Sequence, residues 1–397
     1  MKLGKNGMDE FVNIDRSGSN AEKYTLRQKL FSTDNVQPMW VADMDIATPR
    51  CVLDAVKERL KHPVIGYEII RDEAYDAQCA WMKRHHGWHI KREWLSYSPS
   101  VVASIGCAIR AFSNVGDEVL VMSPVYPPFF SMVKENNRHL VLHSLQRDEI
   151  GEYFFDIETL RTQITEKTKI LLLCSPHNPV GRVWREDELR GLGTLCCELG
   201  IIIVSDEVHC DIVFEGNKHI PMASLSPEIG ENSVTLLGTG KTFNMAGFGI
   251  SSVCIASEKL RELYSQERKR VHFGDGAVLS HVAFESAYTH GEAWHKELIS
   301  HLQSNREKII EWAEHSSAIK LFPPQGTYLA WLDCRALGLG DRELREFFIQ
   351  EAGLGLSAGL SFGREGTGFM RLNFAVASHV LEDALDKISN ALKGGRI

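Results

Sequence analysis

The run Gly200-Ile-Ile-Ile-Val-Ser-Asp-Glu207 puts four apolar, mostly β-branched residues in a row and closes on two acids. An uninterrupted apolar run of this length, with no polar alternation, is the mark of a strand buried on both faces. Upstream, Lys169–Cys174 reads the same way and breaks into Ser175-Pro-His-Asn-Pro-Val-Gly181, with a helix predicted near 185–199 joining it to the strand at 201–205. Downstream, 233–237 and 250–256 are two further strands, and between them lies Gly238-Thr-Gly-Lys-Thr-Phe-Asn-Met-Ala-Gly247. Earlier in the chain, Thr48 and Pro49 read as the cap and first position of a helix over 49–61, with Val52, Leu53, Val56 and Leu60 at helical spacing. A helix at 103–113 leads into a strand over Glu118–Met122. Short apolar strands separated by helices predict an α/β fold with a mostly parallel sheet.

From about 295 the pattern changes to a long polar helix over Trp294–Ala313 and a shorter αβ region. The predicted organisation is an N-terminal segment (1–48) joining a small domain, a large domain (49–294) and a small C-terminal domain (295–397). No repeat, low-complexity tract or linker interrupts it. The net charge of −8 argues against nucleic acid or an anionic membrane as partner. No apolar run approaches the roughly 18 residues that span a bilayer, and residues 1–10 lack the apolar stretch of a signal peptide. The nine cysteines are scattered without a Cys-x-x-Cys pair, and Cys107, Cys174 and Cys254 sit in apolar segments. They read as reduced core thiols of a cytoplasmic protein.

In parallel sheets, ligands collect at the carboxyl ends of the strands. Asn178 follows one such end and Asp206 closes the next, with Glu207 and His209 beside it, so one crevice should hold them. Alone, Asp206 could cap a turn and Asn178 could simply precede Pro179. Lys241, in a small-residue turn after the following strand, changes the weighing. An acid and an amine so placed suit pyridoxal phosphate, which needs an amine to hold its aldehyde and a carboxylate to keep its ring nitrogen protonated.

Eight segments then carry a resemblance: Pro38-Met-Trp-Val-Ala-Asp-Met-Asp45, Gly66-Tyr67, Ser123-Pro-Val-Tyr-Pro-Pro-Phe129, Ser175-Pro-His-Asn-Pro-Val-Gly-Arg-Val-Trp184, Ser205-Asp-Glu-Val-His209, Lys241-Thr-Phe-Asn-Met-Ala-Gly247, Gly326-Thr-Tyr-Leu-Ala-Trp-Leu-Asp333 and Phe369-Met-Arg-Leu-Asn373. In this order they resemble the fold-type I pyridoxal-phosphate enzymes of the class I/II aminotransferase superfamily, and within it the cystathionine β-lyase (C–S lyase) branch. The resemblance implies a large domain with a mostly parallel seven-stranded sheet, a smaller α+β domain, and a homodimer with shared active sites.

By the same resemblance, Lys241 anchors the cofactor aldehyde and later removes the Cα proton, Asp206 pairs with the pyridine nitrogen, and Asn178 bonds the ring oxygen. His209 takes a position near that oxygen, although a packed histidine is the alternative. Tyr126 stacks on the ring. Gly249 stands where aminotransferases usually place a phosphate-binding arginine, and residues 242–257 contain no Lys or Arg. The phosphate must then rely on the helix start at Val102 and Ala103, on Thr239, and on Tyr67 from the partner subunit. Gly240 replaces the Ser or Thr often found before the lysine. Arg371 binds the α-carboxylate of an amino-acid substrate, with Val41 and Ala42 contributing backbone and Tyr328 lining the pocket.

Rival motifs fail. Gly240-Lys241-Thr242 ends like a phosphate-binding loop, but Thr235 occupies the position of its obligatory glycine. Gly353-x-Gly355-x-x-Ala358 lacks the strand–helix unit of a dinucleotide site. His85, His86 and His89 read as an exposed turn beside Trp88 rather than a metal site. The expected activity is β-elimination from an S-substituted cysteine, cystathionine by resemblance. An aminotransferase and a pyridoxal-phosphate-binding regulatory protein remain as alternatives.

Overall fold

The structure, a computed structural model, describes residues 11–394. Residues 1–10, which carry the signal-peptide reading and open the N-terminal segment, and 395–397 lie outside it.

Seven strands form the central sheet: β1 (Leu95–Ser98), β2 (Glu118–Ser123), β3 (His139–Ser144), β4 (Thr168–Cys174), β5 (Ile202–Asp206), β6 (Ser233–Leu237) and β7 (Ser251–Ile255). Their order is β1-β7-β6-β5-β4-β2-β3. The run from β6 to β3 is parallel, while β7 lies antiparallel to both its neighbours. This is the fold-type I architecture of the sequence reading. The strands read from apolar runs are there because each is covered on both faces: β6 and β7 are buried along their whole length. β1 and β3 escaped the sequence because they are the two edges. β3 reads His-Leu-Val-Leu-His-Ser and exposes His139, Leu142 and Ser144, as edge strands do when polar side chains blunt them.

Three local readings need correction. The helix expected from Thr48 and Pro49 spans Arg50–Leu60 with Pro49 as its uncapped start, and Thr48 donates its hydroxyl to the Asn244 carbonyl at 2.7 Å. The helix expected at 103–113 runs over Val101–Phe112, because Ser100 caps it by accepting the Ala103 N–H. His85 and His86 are no exposed turn. They end the helix Asp72–His86, and His86 is buried against Asp211, Nε2 to Oδ1, at 2.8 Å.

A second, four-stranded antiparallel sheet is built from β8 (Lys320–Leu321), β9 (Leu329–Asp333), β10 (Ser357–Ala358) and β11 (Phe369–Asn373), in the order β8-β9-β11-β10. The N-terminal segment is sewn to this half: Gln37–Pro38 pairs in parallel with Leu354–Gly355, and the Asn373 N–H donates to the Met39 carbonyl at 2.9 Å. One apolar cluster runs from Trp81 and Tyr97 through Phe243 and Phe284 to Leu329 and Leu372, so the two sheets share a core. Lys23 is completely buried and holds the Asp43 carbonyl and the Asp45 carboxylate, each at 3.1 Å, with Arg16 joining both acids. A buried lysine is tolerable only when paired in this way. The knot fixes residues 41–45 at the junction of the two sheets.

Candidate active site

Parallel pairing sets the site. Cys174 stands opposite Asp206, and Asp206 opposite Leu236, so the carboxyl ends of β4, β5 and β6 are level. Asn178, Asp206 and Lys241 leave those three ends, and β11 brings Arg371 from the second sheet. A cavity of about 370 Å³ is lined by all four, with Tyr126 and His209. Val41, Ala42 and Val102 also face it.

Lys241 sits in the helical turn Thr239–Thr242, and its Nζ donates to the Ala42 carbonyl at 2.6 Å. Burial, reinforced by the nearby Arg371 charge, pulls the amine down to about 8. Asp206 is pushed the other way. Burial raises its carboxyl to about 7, against which the Val208 N–H at 3.2 Å and Lys241 pull only weakly. His209 is held well below the usual imidazole range by burial and by the Lys241 and Arg371 charges. Its ring meets Tyr328 edge-on at 5.7 Å, and its Nδ1 has no partner among the described residues.

Arg371 is anchored on three sides. It donates to Asn178 Oδ1 at 3.0 Å, to the Trp40 carbonyl at 2.6 Å and to Ser357 Oγ at 3.3 Å, and it lies over the Phe362 ring at 4.8 Å. Its buried Nε has no partner among the described residues.

Four sequence candidates stand off the cavity wall. Ala103 gives its N–H to Ser100, so the helix start offers Ser100, Val101 and Val102 to the cavity instead. Thr239 is buried behind the wall, its Oγ1 without a partner among the described residues. Tyr328 donates to the Ala42 carbonyl at 2.8 Å, sharing the acceptor of Lys241. Tyr67 is fully exposed and contributes nothing to the cavity of its own chain. The glycines have steric reasons. A side chain at Gly240 would press on the Ala246 backbone at 3.2 Å, and Gly249 has φ +60°, where a side chain is strained.

Asp211 carries no signal in the local sequence pattern. This buried acid accepts Trp81 Nε1–H at 2.9 Å and Thr242 Oγ–H at 2.7 Å besides its bond to His86, tying the loop of Asp206 to the turn of Lys241. His86, Cys210 and Asp211 are close enough to hold a metal ion. Both carboxylate oxygens are already committed to these donors, which makes the group a structural knot. Glu22 and Trp40, which also line the cavity, were missed as well.

The donor set fits pyridoxal phosphate. A partner-poor buried carboxylate awaits a cation, an amine of lowered pKa lies within the same cavity, and a capped helix start faces it. Residues 41–388 match the family Aminotransferase class I and II. The chain is 38% identical to cystathionine beta-lyase PatB of Bacillus subtilis (strain 168), covering 95% of this chain and 98% of that one. It superposes on cystalysin from Treponema denticola, which contains a pyridoxal 5′-phosphate cofactor, with a TM-score of 0.93, 31% identity, and coverage of 97% and 98%. The PLP-bound C–S lyase from Staphylococcus hominis gives a TM-score of 0.89 at 32% identity, with coverage of 98% and 100%. The chain therefore belongs to the class I and II aminotransferase family, alongside its carbon–sulfur lyases.

Proposed function

We propose that the protein is a pyridoxal-phosphate-dependent C–S β-lyase of the cystathionine β-lyase type. It would cleave cystathionine or related S-substituted cysteines to a thiol, pyruvate and ammonia. The observation that carries this reading is the convergence of Lys241, Asp206, Asn178 and Arg371 on one cavity. The similarity to PatB and to the Staphylococcus hominis C–S lyase supports it.

When bound, the cofactor supplies an electron sink for the electron pair left on Cα. The chain's own groups do the rest. Arg371 takes the substrate α-carboxylate with its guanidinium, whose Nε–H is uncommitted among the described residues, while its bonds to Asn178, Trp40 and Ser357 fix the guanidinium plane. Lys241 Nζ removes the Cα proton. With its pKa brought to about 8, a useful fraction is neutral near pH 7. The Cβ–S bond then breaks and the sulfur leaves as a thiol after gaining a proton. Hydrolysis of the remaining three-carbon fragment consumes water and yields pyruvate and ammonia. Asp206 would hold the pyridine nitrogen protonated, Asn178 would bond the ring oxygen, and Tyr126 would stack on the ring, all three lining the cavity. His209 packs beside them. Val102 and the adjoining helix start would address the phosphate, with Thr239 packed behind them. The Ala42 carbonyl, pinned by Tyr328, is the resting place of the Lys241 amine, with Val41 beside it.

The partner-facing element is the segment around Tyr67. Val64, Ile65, Tyr67 and Ile69 are all more than half exposed in the single chain. We read this apolar arm as the homodimer contact that delivers Tyr67 to the partner's phosphate site. Refolding an inactive Lys241→Ala chain together with a Tyr67→Ala chain should restore activity neither has alone; mixed dimers with no gain would remove Tyr67 from the shared site. Among the described residues no helix is long and apolar enough to cross a membrane. The buried free thiols of Cys107, Cys174 and Cys254 support a reducing, cytoplasmic setting.

The deciding experiment uses cystathionine without any keto acid. Pyruvate and homocysteine should appear in equal amounts. A strict keto-acid requirement, with amino transfer as the main flux, would make the protein an aminotransferase.

A further inference from the structure

Each deep charge of the cavity has a task in the reading above: Asp206 for the ring, Lys241 for Cα, Arg371 for the α-carboxylate. One charged group is left over. Glu22 lines the same cavity, beside Trp40, Val41 and Ala42, on the helical turn Glu22–Thr25. Its side chain is exposed, while the next residue, Lys23, is buried and bonded to Asp43 and Asp45. The backbone that presents Glu22 is thus held firmly although the carboxylate itself is open to solvent. No hydrogen bond or ion pair within the described residues engages that carboxylate. It is near enough to Tyr126 to add, after burial and Asp206, to the rise of that phenol's pKa.

This places a fixed, unpaired negative charge on the exposed rim of a cavity whose inner wall is positive at Arg371. With the α-carboxylate on Arg371 and Cα within reach of Lys241, the S-substituent is the part of the substrate left to extend toward the rim. We propose that Glu22 is a specificity-determining residue that selects S-substituted cysteines whose leaving group carries a distal ammonium. This rests on the lyase reading, but it concerns a residue that the reaction itself does not need.

Two nearly isosteric substrates separate the charge from the size: S-(2-aminoethyl)-L-cysteine and S-propyl-L-cysteine. In Glu22→Gln, the ratio of their kcat/KM values should fall by about two- to fivefold, the upper part of the range for an exposed ion pair. The loss should lie in the aminoethyl substrate alone, and the wild-type preference should fade as salt is raised. Because the side chain is exposed, the unfolding midpoint should not move. A ratio unchanged by the substitution, or an equal fall for both substrates, would overturn the proposal.

A second measurement is independent of elimination. L-lysine and L-norleucine, which have no thiol to lose, are titrated calorimetrically into wild-type and Glu22→Gln protein loaded with pyridoxal phosphate. Lysine should lose affinity in the variant and norleucine should not. If neither sulfur substrate is cleaved, the lyase reading falls, and the lysine–norleucine pair still decides the role of Glu22. Equal behaviour of that pair in both proteins would reject it.

Discussion

Asp206 ends β5 and Asp211 lies on the loop that follows; both are buried, yet the protein treats them in opposite ways. Among the described residues Asp206 receives a single side-chain hydrogen bond, from the Val208 N–H, and burial drives its carboxyl to about 7. At Asp211 burial would do the same, but His86, through its hydrogen bond and charge, with His295 and Trp81, holds the carboxyl well below the carboxylate range. A buried acid surrounded by donors ties elements together; one left almost bare is waiting for something. The structural acid takes its partners from Trp81, His86 and Thr242. The bare one opens onto the cavity.

The largest effect should follow from removing the bare acid. Asp206→Ala is expected to lower kcat by about 10²–10³, the usual cost of losing one preorganised charge-stabilising group. It should leave the unfolding midpoint of the cofactor-stripped protein unchanged or higher. Steady-state kinetics and a denaturant titration check both halves. A kcat within about threefold of wild type, less than ~1 kcal/mol of barrier, would show that Asp206 is not the ring partner.

Asp211→Ala should do the reverse. It strands His86, Trp81 and Thr242 and breaks a buried network, which typically costs about 3–5 kcal/mol of stability. At low temperature, where the variant is still folded, activity should drop far less than for Asp206→Ala, because Asp211 does not line the cavity. Urea unfolding measures the first and assays at 10–15 °C the second. Wild-type stability with lost turnover would mean that the tie to Thr242 matters only for placing Lys241.

These two acids also show what a sequence can and cannot disclose. β4, β5 and β6 were readable because both of their faces are buried and their residues are accordingly apolar. From there, strand ends gave Asn178, Asp206 and Lys241, and the structure brings them to one cavity with Arg371. Asp211 carried no signal, since its meaning lies in Trp81, His86 and Thr242, all distant in the chain. For the same reason His86 read as part of an exposed turn beside Trp88: the acid that buries it is far downstream. Glu22 was invisible because only the folding of the N-terminal segment over β11 brings it to the cavity rim. Edge strands β1 and β3 were lost to their polar faces. Local pattern reports burial well, but it says little about which distant partner completes a polar group.

The smallest and sharpest test is in pH, because the two acids should bend the stability curve in opposite directions. The unfolded chain releases a carboxyl proton near pH 4. Folded Asp206 keeps its proton up to about 7, so between about 4 and 7 the folded state binds more protons than the unfolded one. Stability must then fall as pH rises across that window. Asp211 is already ionised in the fold, so its contribution is intact above about pH 4 and is lost as acid protonates it. In cofactor-stripped protein, Asp206→Asn should therefore gain on wild type between pH 5 and pH 8. A shift from 3.8 to about 7 sets an upper bound of ~4 kcal/mol at 1.36 kcal/mol per unit. Water reaching the open cavity reduces the expected gain to about 1–2 kcal/mol. Asp211→Asn, by contrast, should flatten the acid limb below pH 4 and lose its stability deficit there. Parallel stability curves for wild type and Asp206→Asn from pH 5 to 8 would mean that Asp206 is ionised in the stripped protein, and that some cation of the chain, Lys241 foremost, already serves as its partner.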